Sequence, residues 1–254
     1  MSADAALDVP VAVARPPADP WRRDRRFFTG MAVAAILVVF AGFAPSYYLK
    51  VVLGRPGVSG AQTLSPLLHA HGFVFTAWMV LYLVQTRLIA ARRVKLHRRL
   101  GVGAVLLAAA MVLLGSAVAI DAARRGVAPP GGPPPLVFMI VPLADLVIFS
   151  TLVGAGIWFR RRGDAHKRLM LMSTISILTP AIARLPGVLV LGPLAFFALT
   201  DFFVVVCLVY DRVTRGRVHP AFWWGGGLLL ASQIGRLAIA GTAAWLALAT
   251  WLTR

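Results

Sequence analysis

The chain has 254 residues, 59% of them hydrophobic and only 14% charged, and its mean hydropathy is +0.80. This composition excludes an ordinary soluble domain and predicts an integral membrane protein. The formal net charge of +17 is compatible with phosphate binding, but the basic residues flank apolar segments. That position favours the lipid bilayer and its anionic headgroups as partners, and it excludes nucleic acid.

Seven apolar segments of about 20 residues recur along the chain, and each is long enough to cross the hydrocarbon core of a bilayer. Residues 1–26 precede them and lack a periodic pattern, so they are predicted to be a flexible cytoplasmic tail. The first segment has no convincing small-residue cleavage site and is interpreted as a retained span. Residues 27–254 are therefore predicted to form an all-α seven-helix transmembrane domain, with spans at 28–49, 64–87, 100–120, 136–159, 169–190, 193–210 and 226–251.

The distribution of Lys and Arg predicts the orientation of these spans. With the N-terminus inside, eighteen of these residues lie on the inner side and five on the outer side. The inner ones form four clusters, at 22–26, 87–99, 160–168 and 212–217. The protein is therefore predicted to be N-in and C-out.

A basic stretch with a central histidine occurs twice, as RRVKLHRRL at 92–100 and as RRGDAHKRL at 161–169. Each copy connects two predicted spans, so the segments 64–120 and 136–190 run in the same directions through the membrane. They are predicted to be parallel two-helix repeats, spans 2–3 and 4–5, related by an approximate axis along the membrane normal.

The repeat places His97 and His166 at the same depth, at the inner ends of spans 3 and 5. A b-type haem held by two histidines needs imidazoles from different helices at one depth. The neighbouring Arg and Lys residues are equally typical of simple contact with lipid phosphate. Haem or metal ligation, interfacial anchoring and a role in proton transfer are all open at this point.

Charged side chains are costly inside a membrane, so those within predicted spans are candidates for a functional site. Four occur there: Asp145 in span 4, Arg184 in span 5, Asp201 in span 6 and Arg236 in span 7. Two acids and two bases form a neutral set, which predicts pairing across the bundle.

Two prolines predict bent helices beside these charges. Pro142 lies three residues before Asp145, and Pro180 lies four residues before Arg184. A proline within a span removes one backbone hydrogen bond and bends the helix. Irregular backbone at membrane depth is tolerated where protein or a wet cavity surrounds it, so these bends indicate a binding site.

Span 2 adds a histidine to this site. His69 and His71 are two residues apart and face nearly opposite ways on a helix, so they cannot chelate one ion together. His71 is predicted to face the bundle, because Phe75, Trp78 and Tyr82 continue its face. We therefore predict a buried polar site for a small ligand or cofactor in the outer half of the bundle. It is lined by His71, Asp145, Arg184, Asp201, Arg236 and Gln233.

His71, Asp145 and Asp201 together predict an alternative divalent-metal site with open coordination positions.

The chain contains no GxSxG, Walker, CxxCH or dinucleotide-binding motif, so no reaction is predicted. The lone Cys207 cannot form an intramolecular disulfide.

The histidine motifs resemble those of uncharacterised bacterial polytopic membrane proteins, in which an H…Q…HRxxG block precedes an HrrxM block. The resemblance covers residues 64–175. It matches His71, Gln85, His97, Arg98, Gly101, His166, Arg168 and Met170. It implies a multi-pass protein of the bacterial inner membrane and no established activity.

More loosely, histidines at helix ends are similar to those of b-type cytochromes and haem A synthase. That similarity implies one haem b held by His97 and His166 in an electron-transfer protein, with quinone as a partner. A third alternative is a non-catalytic assembly subunit, acting as a homo-oligomer or within a membrane complex. In that case the charges in the spans only lock helices together.

Overall fold

The computed structural model describes residues 19–50, 64–129 and 131–254, and every regular element in these ranges is helical. The all-α prediction is confirmed. The helices are α1 (Pro20–Phe43, continued by a π-helical turn at Ala44–Tyr48), α2 (Pro66–Ala90), α3 (Val94–Arg124), α4 (Pro135–Phe138), α5 (Ile140–Trp158), α6 (Gly163–Ser176), α7 (Thr179–Ile182), α8 (Pro193–Arg215), α9 (Pro220–Ile239) and α10 (Ala243–Leu252). A short 3-10 turn, Leu189–Leu191, precedes α8.

Five helical segments of the described chain are long and apolar enough to cross a membrane, which supports a multi-pass membrane protein. They are Trp21–Tyr48, Pro66–Ala90, Val94–Arg124, Pro135–Trp158 and Pro193–Arg215. A sixth is added only if α9 and α10 are taken as one broken span. The seven spans predicted from the sequence are therefore not confirmed.

The predicted seventh span, 226–251, is two helices bent by 92°. The second of them, α10, packs against α4, and the indole nitrogen of Trp245 donates a hydrogen bond to the carbonyl oxygen of Leu136 at 2.9 Å. The bend lies between Ile239 and Ala243. The apolar composition of both helices made them look like a single segment.

The predicted fifth span, 169–190, is also interrupted. The helix α6 ends at Ser176, and α7 begins at Thr179 and covers a single turn. The break lies just before Pro180, which has no amide hydrogen to continue the helical hydrogen bonding. The proline thus ends the helix here, where the sequence predicted a bend.

The helix α6 lies at the centre of the bundle. Every residue from Arg168 to Ser176 is buried except Met170, which is half-buried, and α6 contacts α1, α5, α8 and α9. A helix enclosed by protein does not need an apolar surface toward lipid. This explains how α6 accommodates buried Ser173 and Thr174. With 14 residues, α6 is also shorter than the helices that can cross a membrane alone.

The helix α1 begins at Pro20, earlier than the boundary predicted near residue 27. A side-chain oxygen of Asp19 accepts a hydrogen bond from the amide of Trp21 at 3.0 Å, which caps the helix, and proline is favoured at its first position. Residues 20–26 are therefore helical and not part of a tail. Residues 1–18 lie outside the described part of the chain.

The start of α1 and three interhelical turns lie at one end of the bundle. These turns join α2 to α3, α5 to α6, and α8 to α9. Side-chain contacts bring them together: Asp24 of α1 bonds Lys167 of α6 and Arg215 of α8, and His97 of α3 lies beside His166 of α6. We call this the basic end, because it carries the four Lys and Arg clusters. The parallel repeat and the orientation in the membrane stay predictions.

Candidate functional site

The basic end brings His97 of α3 and His166 of α6 together. Their ring centroids are 6.1 Å apart and their planes are inclined at 81°. Both side chains are half-buried. The repeat in the sequence predicted a common depth for the two rings, and the structure adds that they are neighbours.

His166 is held by the backbone of α5. Its Nδ1 atom lies 2.8 Å from the carbonyl oxygen of Gly156. A carbonyl oxygen can only accept a hydrogen bond, so Nδ1 carries a proton, and in the neutral ring with this tautomer Nε2 has a free lone pair. Histidines that bind metals are commonly oriented in this way, by donating their other ring N–H to a carbonyl or carboxylate.

His97 and Gln85 each contribute a buried atom without a hydrogen-bond partner among the described residues, namely Nδ1 of His97 and Oε1 of Gln85. The amide nitrogen of Gln85 lies 4.0 Å from the position that a Cβ would take at Gly101, one turn after His97. Leaving such a group unpaired costs roughly 1–3 kcal/mol, so it needs an explanation, such as a bound water, ion or ligand.

Exposed cations surround the histidine pair. Lys95, Arg98 and Arg99 flank His97, and none of them forms an ion pair with a carboxylate in the described part of the chain. A positive potential at this position favours an anionic group and opposes a bare metal cation.

The residues predicted to line the outer site lie toward the end of the bundle opposite the basic end, which we call the opposite half. Asp145 of α5 and Arg236 of α9 form a buried ion pair there, with 2.6 Å between Nη1 and Oδ1. The guanidinium group also donates to the hydroxyl of Ser232 at 2.9 Å and lies 5.4 Å from the ring centroid of Phe197. The second carboxylate oxygen of Asp145 is buried without a partner among the described residues.

The other predicted residues are separate from this pair. Asp201 accepts a hydrogen bond from the amide of Gln233 at 2.9 Å. Arg184 is exposed and donates to the carbonyl oxygen of Pro180 at 2.7 Å. His71 packs on the ring of Phe75, and its buried Nδ1 has no partner in the described ranges.

The predicted metal site is not assembled. No group of three or more His, Cys, Asp or Glu side chains among the described residues could hold a metal ion. Asp145 is neutralised by Arg236, and Asp201 accepts from Gln233. The described residues therefore do not support the prediction that these two residues and His71 bind one divalent ion.

A buried ion pair at the basic end was not predicted from the sequence. Arg168 of α6 donates to both carboxylate oxygens of Asp211 of α8, at 2.9 and 2.5 Å, and both side chains are fully buried. The same carboxylate accepts the backbone N–H of His219 at 3.0 Å. The pair thereby ties α6 and α8 to the start of α9.

Asp24 is the centre of a second group of contacts beside this pair. Its carboxylate bonds Lys167 at 2.6 Å, Arg215 at 2.7 Å and the hydroxyl of Tyr210 at 2.5 Å. Asp164 also pairs with Lys167, at 2.6 Å. An acid within a cluster of Arg and Lys is the signal that could have predicted this group, because Asp24 and Asp164 both lie inside basic clusters.

Asp164 and His219, which lie outside the membrane-spanning helices, have lowered pKa values. The hydrogen bond from Lys167, aided by the charge of Arg215, lowers the pKa of Asp164 to about 2. Burial lowers the pKa of His219, and the nearby charge of Arg168 acts in the same direction. The neutral His219 ring accepts the amide hydrogen of Ala221 at Nδ1 and so caps α9.

No protein-family model, curated protein or solved structure matches the chain. The resemblance in the short histidine motifs therefore stays a prediction. The function must be argued from the geometry of the two histidines and of the paired charges.

Proposed function

We propose that the chain is a bacterial inner-membrane protein that binds one b-type haem between His97 and His166. The observation that carries this proposal is the adjacency of two imidazoles from different helices, one of them oriented by the carbonyl of Gly156. Metal–imidazole bonds are about 2.0–2.1 Å long, so two nitrogens on opposite sides of one ion are about 4 Å apart. A centroid separation of 6.1 Å is consistent with that arrangement, since each ring extends beyond its nitrogen.

Haem suits this pair better than a bare ion does, for two reasons. A bare zinc ion needs three or four protein ligands, whereas the porphyrin supplies four nitrogens and needs only two axial histidines. The propionates of haem are anionic, and Arg98 and Arg99 follow His97 directly. The same cations would repel a free divalent metal ion.

His97 and His166 would hold the haem, and the haem would supply one-electron redox chemistry, which favours electron transfer as the function. The partner class that fits a membrane protein of this kind is a quinone, which would exchange its two electrons in single steps. The role of the chain itself is to fix both rings through α3 and α6.

An optical spectrum of the full-length protein, purified in mild detergent after growth with added haem, tests the proposal. We expect a Soret band that is lost in His97→Ala and in His166→Ala. His69→Ala, which removes an exposed histidine in α2, is the control and should keep the band. A wild-type protein without a Soret band would refute haem binding.

A second candidate is a site for a small polar ligand in the opposite half, around Asp145. It is favoured by the unpartnered Oδ2 atom of Asp145 and by the indole N–H of Trp78, which is also buried without a partner in the described ranges. It ranks second because its residues divide into separate pairs. Mass and elemental analysis of gently purified wild type and Asp145→Asn would test it. If no small molecule is retained by the wild type, the charges act structurally, as in a non-catalytic assembly subunit.

A further inference from the structure

Two groups of cations at the basic end differ in their pairing. Lys167 and Arg168 of α6 and Arg215 near the end of α8 are paired with Asp24, Asp164 and Asp211. Those around the start of α3 and after the end of α5 are exposed and form no ion pair with any described carboxylate. We call this second group the unpaired cations: Lys95, Arg98, Arg99, Arg160, Arg161 and Arg162.

An apolar groove of about 200 Å³ lies between α3 and α5. Small residues form much of it, namely Ala108 and Ala109 on α3 and Gly154 on α5. A Cβ at Gly154 would meet no atom within 4 Å, so the groove is open on that side. Pockets for drug-sized ligands are larger, about 300–1,000 Å³, and a helix is about 10–12 Å wide. The dimensions therefore suit an alkyl chain better than a ring system or a partner helix.

Both walls of the groove lead to the unpaired cations. On α3, Val105 of the groove follows Arg98 by about two turns, or roughly 10 Å. On α5, Ile157 of the groove is three residues from Arg160. A molecule with an apolar chain in the groove would thus place an anionic head among these cations.

We propose that this groove binds one anionic phospholipid, with an acyl chain between α3 and α5 and the phosphate on the unpaired cations. Anionic lipids are attracted to basic segments next to the membrane, and the attraction grows with each Lys or Arg near the surface. The lining of the groove contains neither His97 nor His166, so the acyl chain does not require haem, although Arg98 and Arg99 are also the cations that would face the haem propionates.

A second groove provides an internal comparison. It lies between α1 and α8, has a volume of about 450 Å³ and is lined by residues such as Phe27, Val205 and Val209. Its lining continues past Tyr210 to Val213 and Thr214 at the basic end. Arg26 and Arg212 are next in sequence to Phe27 and Val213 of this lining, and neither forms an ion pair with a described carboxylate. The second groove therefore differs from the first in volume, and the Arg22 and Arg23 control described below tests whether lipid retention depends on cations beside α1.

Native mass spectrometry tests whether the unpaired cations select an anionic lipid. The full chain is released from micelles that contain equal amounts of phosphatidylglycerol and phosphatidylcholine. We expect one phosphatidylglycerol molecule to be retained in preference. Arg98→Gln combined with Arg99→Gln should weaken its retention by at least tenfold, because each cation contributes about fivefold. Arg22→Gln combined with Arg23→Gln removes the same charge from exposed positions in α1 and should have little effect.

A larger side chain in the groove tests whether the acyl chain binds there. Ala109→Phe should reduce phosphatidylglycerol retention, whereas Leu106→Phe, at an exposed position of the same helix outside the groove, should not. Gly154→Leu replaces Ala109→Phe if the latter does not fold. Three results would overturn the proposal. The wild type could retain the two lipids equally, the Arg22 and Arg23 control could lose as much phosphatidylglycerol as the Arg98 and Arg99 variant, or Ala109→Phe could retain as much phosphatidylglycerol as the wild type. Displacement of the lipid by inorganic phosphate would also overturn it, since the acyl chain would then contribute nothing.

Discussion

The two buried Arg–Asp pairs of the bundle differ in how completely their polar atoms are satisfied. At the basic end, both oxygens of Asp211 accept hydrogen bonds, from Arg168 and from the backbone of His219. In the opposite half, Asp145 uses one oxygen for Arg236, and its other oxygen has no partner among the described residues. In the fully bonded pair, both carboxylate oxygens have protein partners, so a structural role accounts for the pair. In the other pair, one carboxylate oxygen is left to accept a hydrogen bond from a ligand.

The two arginines are held in a similar way by their own helices. Arg236 donates to the carbonyl oxygen and the hydroxyl of Ser232, and Arg168 donates to the carbonyl oxygen and the carboxylate of Asp164. The aspartates differ, because Asp211 accepts three hydrogen bonds and Asp145 accepts one. Removal of the aspartate should therefore be more damaging at the basic end.

Asp211→Ala should have the largest effect on stability. It leaves the fully buried Arg168 without its bidentate partner and removes the acceptor of the His219 amide. Breaking a buried ion pair in this way costs about 3–5 kcal/mol. Thermal and denaturant unfolding of the purified protein in detergent measures the loss. Asp121→Ala, which removes an exposed pair with Arg125, is the control and should cost less than about 1 kcal/mol. Equal losses in the two variants would contradict the structural role of Asp211.

Asp145→Ala should destabilise the protein less than Asp211→Ala does. Arg236 keeps its bonds to Ser232 and to the carbonyl of Val141, so the loss should be near that of one hydrogen bond to a charged group, about 1.5–3 kcal/mol. The same unfolding measurement compares the two variants. A loss as large as that of Asp211→Ala would show that the two pairs are energetically equivalent, and the distinction between them would fail.

The straight spans were predictable because hydropathy is a property of local composition. The segments that became α2, α3 and α8 each meet lipid over part of their surface, and their sequences show it. The fifth predicted span, 169–190, was misjudged because its composition stays apolar through the break after Ser176. Pro180 marked the position of this irregularity, but the prediction was a bend and the helix ends there instead. The 92° bend before Ala243 has no proline and was not predicted.

The candidate site was predictable only where the sequence repeats. The duplicated basic stretch gave His97 and His166 a common depth without any structure. No comparable signal linked Arg168 to Asp211, because the two residues are 43 positions apart and Arg168 belongs to a basic cluster that was predicted to contact lipid headgroups. In the outer set, the neutral balance of charges predicted pairing across the bundle, but which residues pair, Asp145 with Arg236 and Asp201 with Gln233, could not be predicted from one sequence.

The cap at the start of α9 should make stability depend on pH near neutrality. Because the pKa of His219 is lowered from 6.5 in the folded protein, the unfolded chain takes up a proton first as the pH falls below that value. Protonation of Nδ1 also removes the acceptor for the Ala221 amide. The unfolding temperature should therefore fall modestly between pH 7.5 and pH 5.5. His219→Asn keeps a good capping side chain that does not titrate and should flatten this dependence. An unchanged slope in that variant would exclude His219 as the source.

Asp164 should have the smallest effect, and at a lower pH. Its pKa of about 2 lies below its ordinary value of 3.8, so its contribution is complete above about pH 4 and is lost as the pH falls toward 2. More than half of the side chain is exposed, so water screens its contacts with Lys167 and Arg215, and the loss should stay below about 1 kcal/mol. Acid unfolding of Asp164→Asn against wild type measures this difference, with Asp121→Asn as an exposed control. If Asp164→Asn were as damaging as Asp211→Ala, the exposed carboxylate would hold Arg168 in place, and the stability of the basic end would not come from its buried pair.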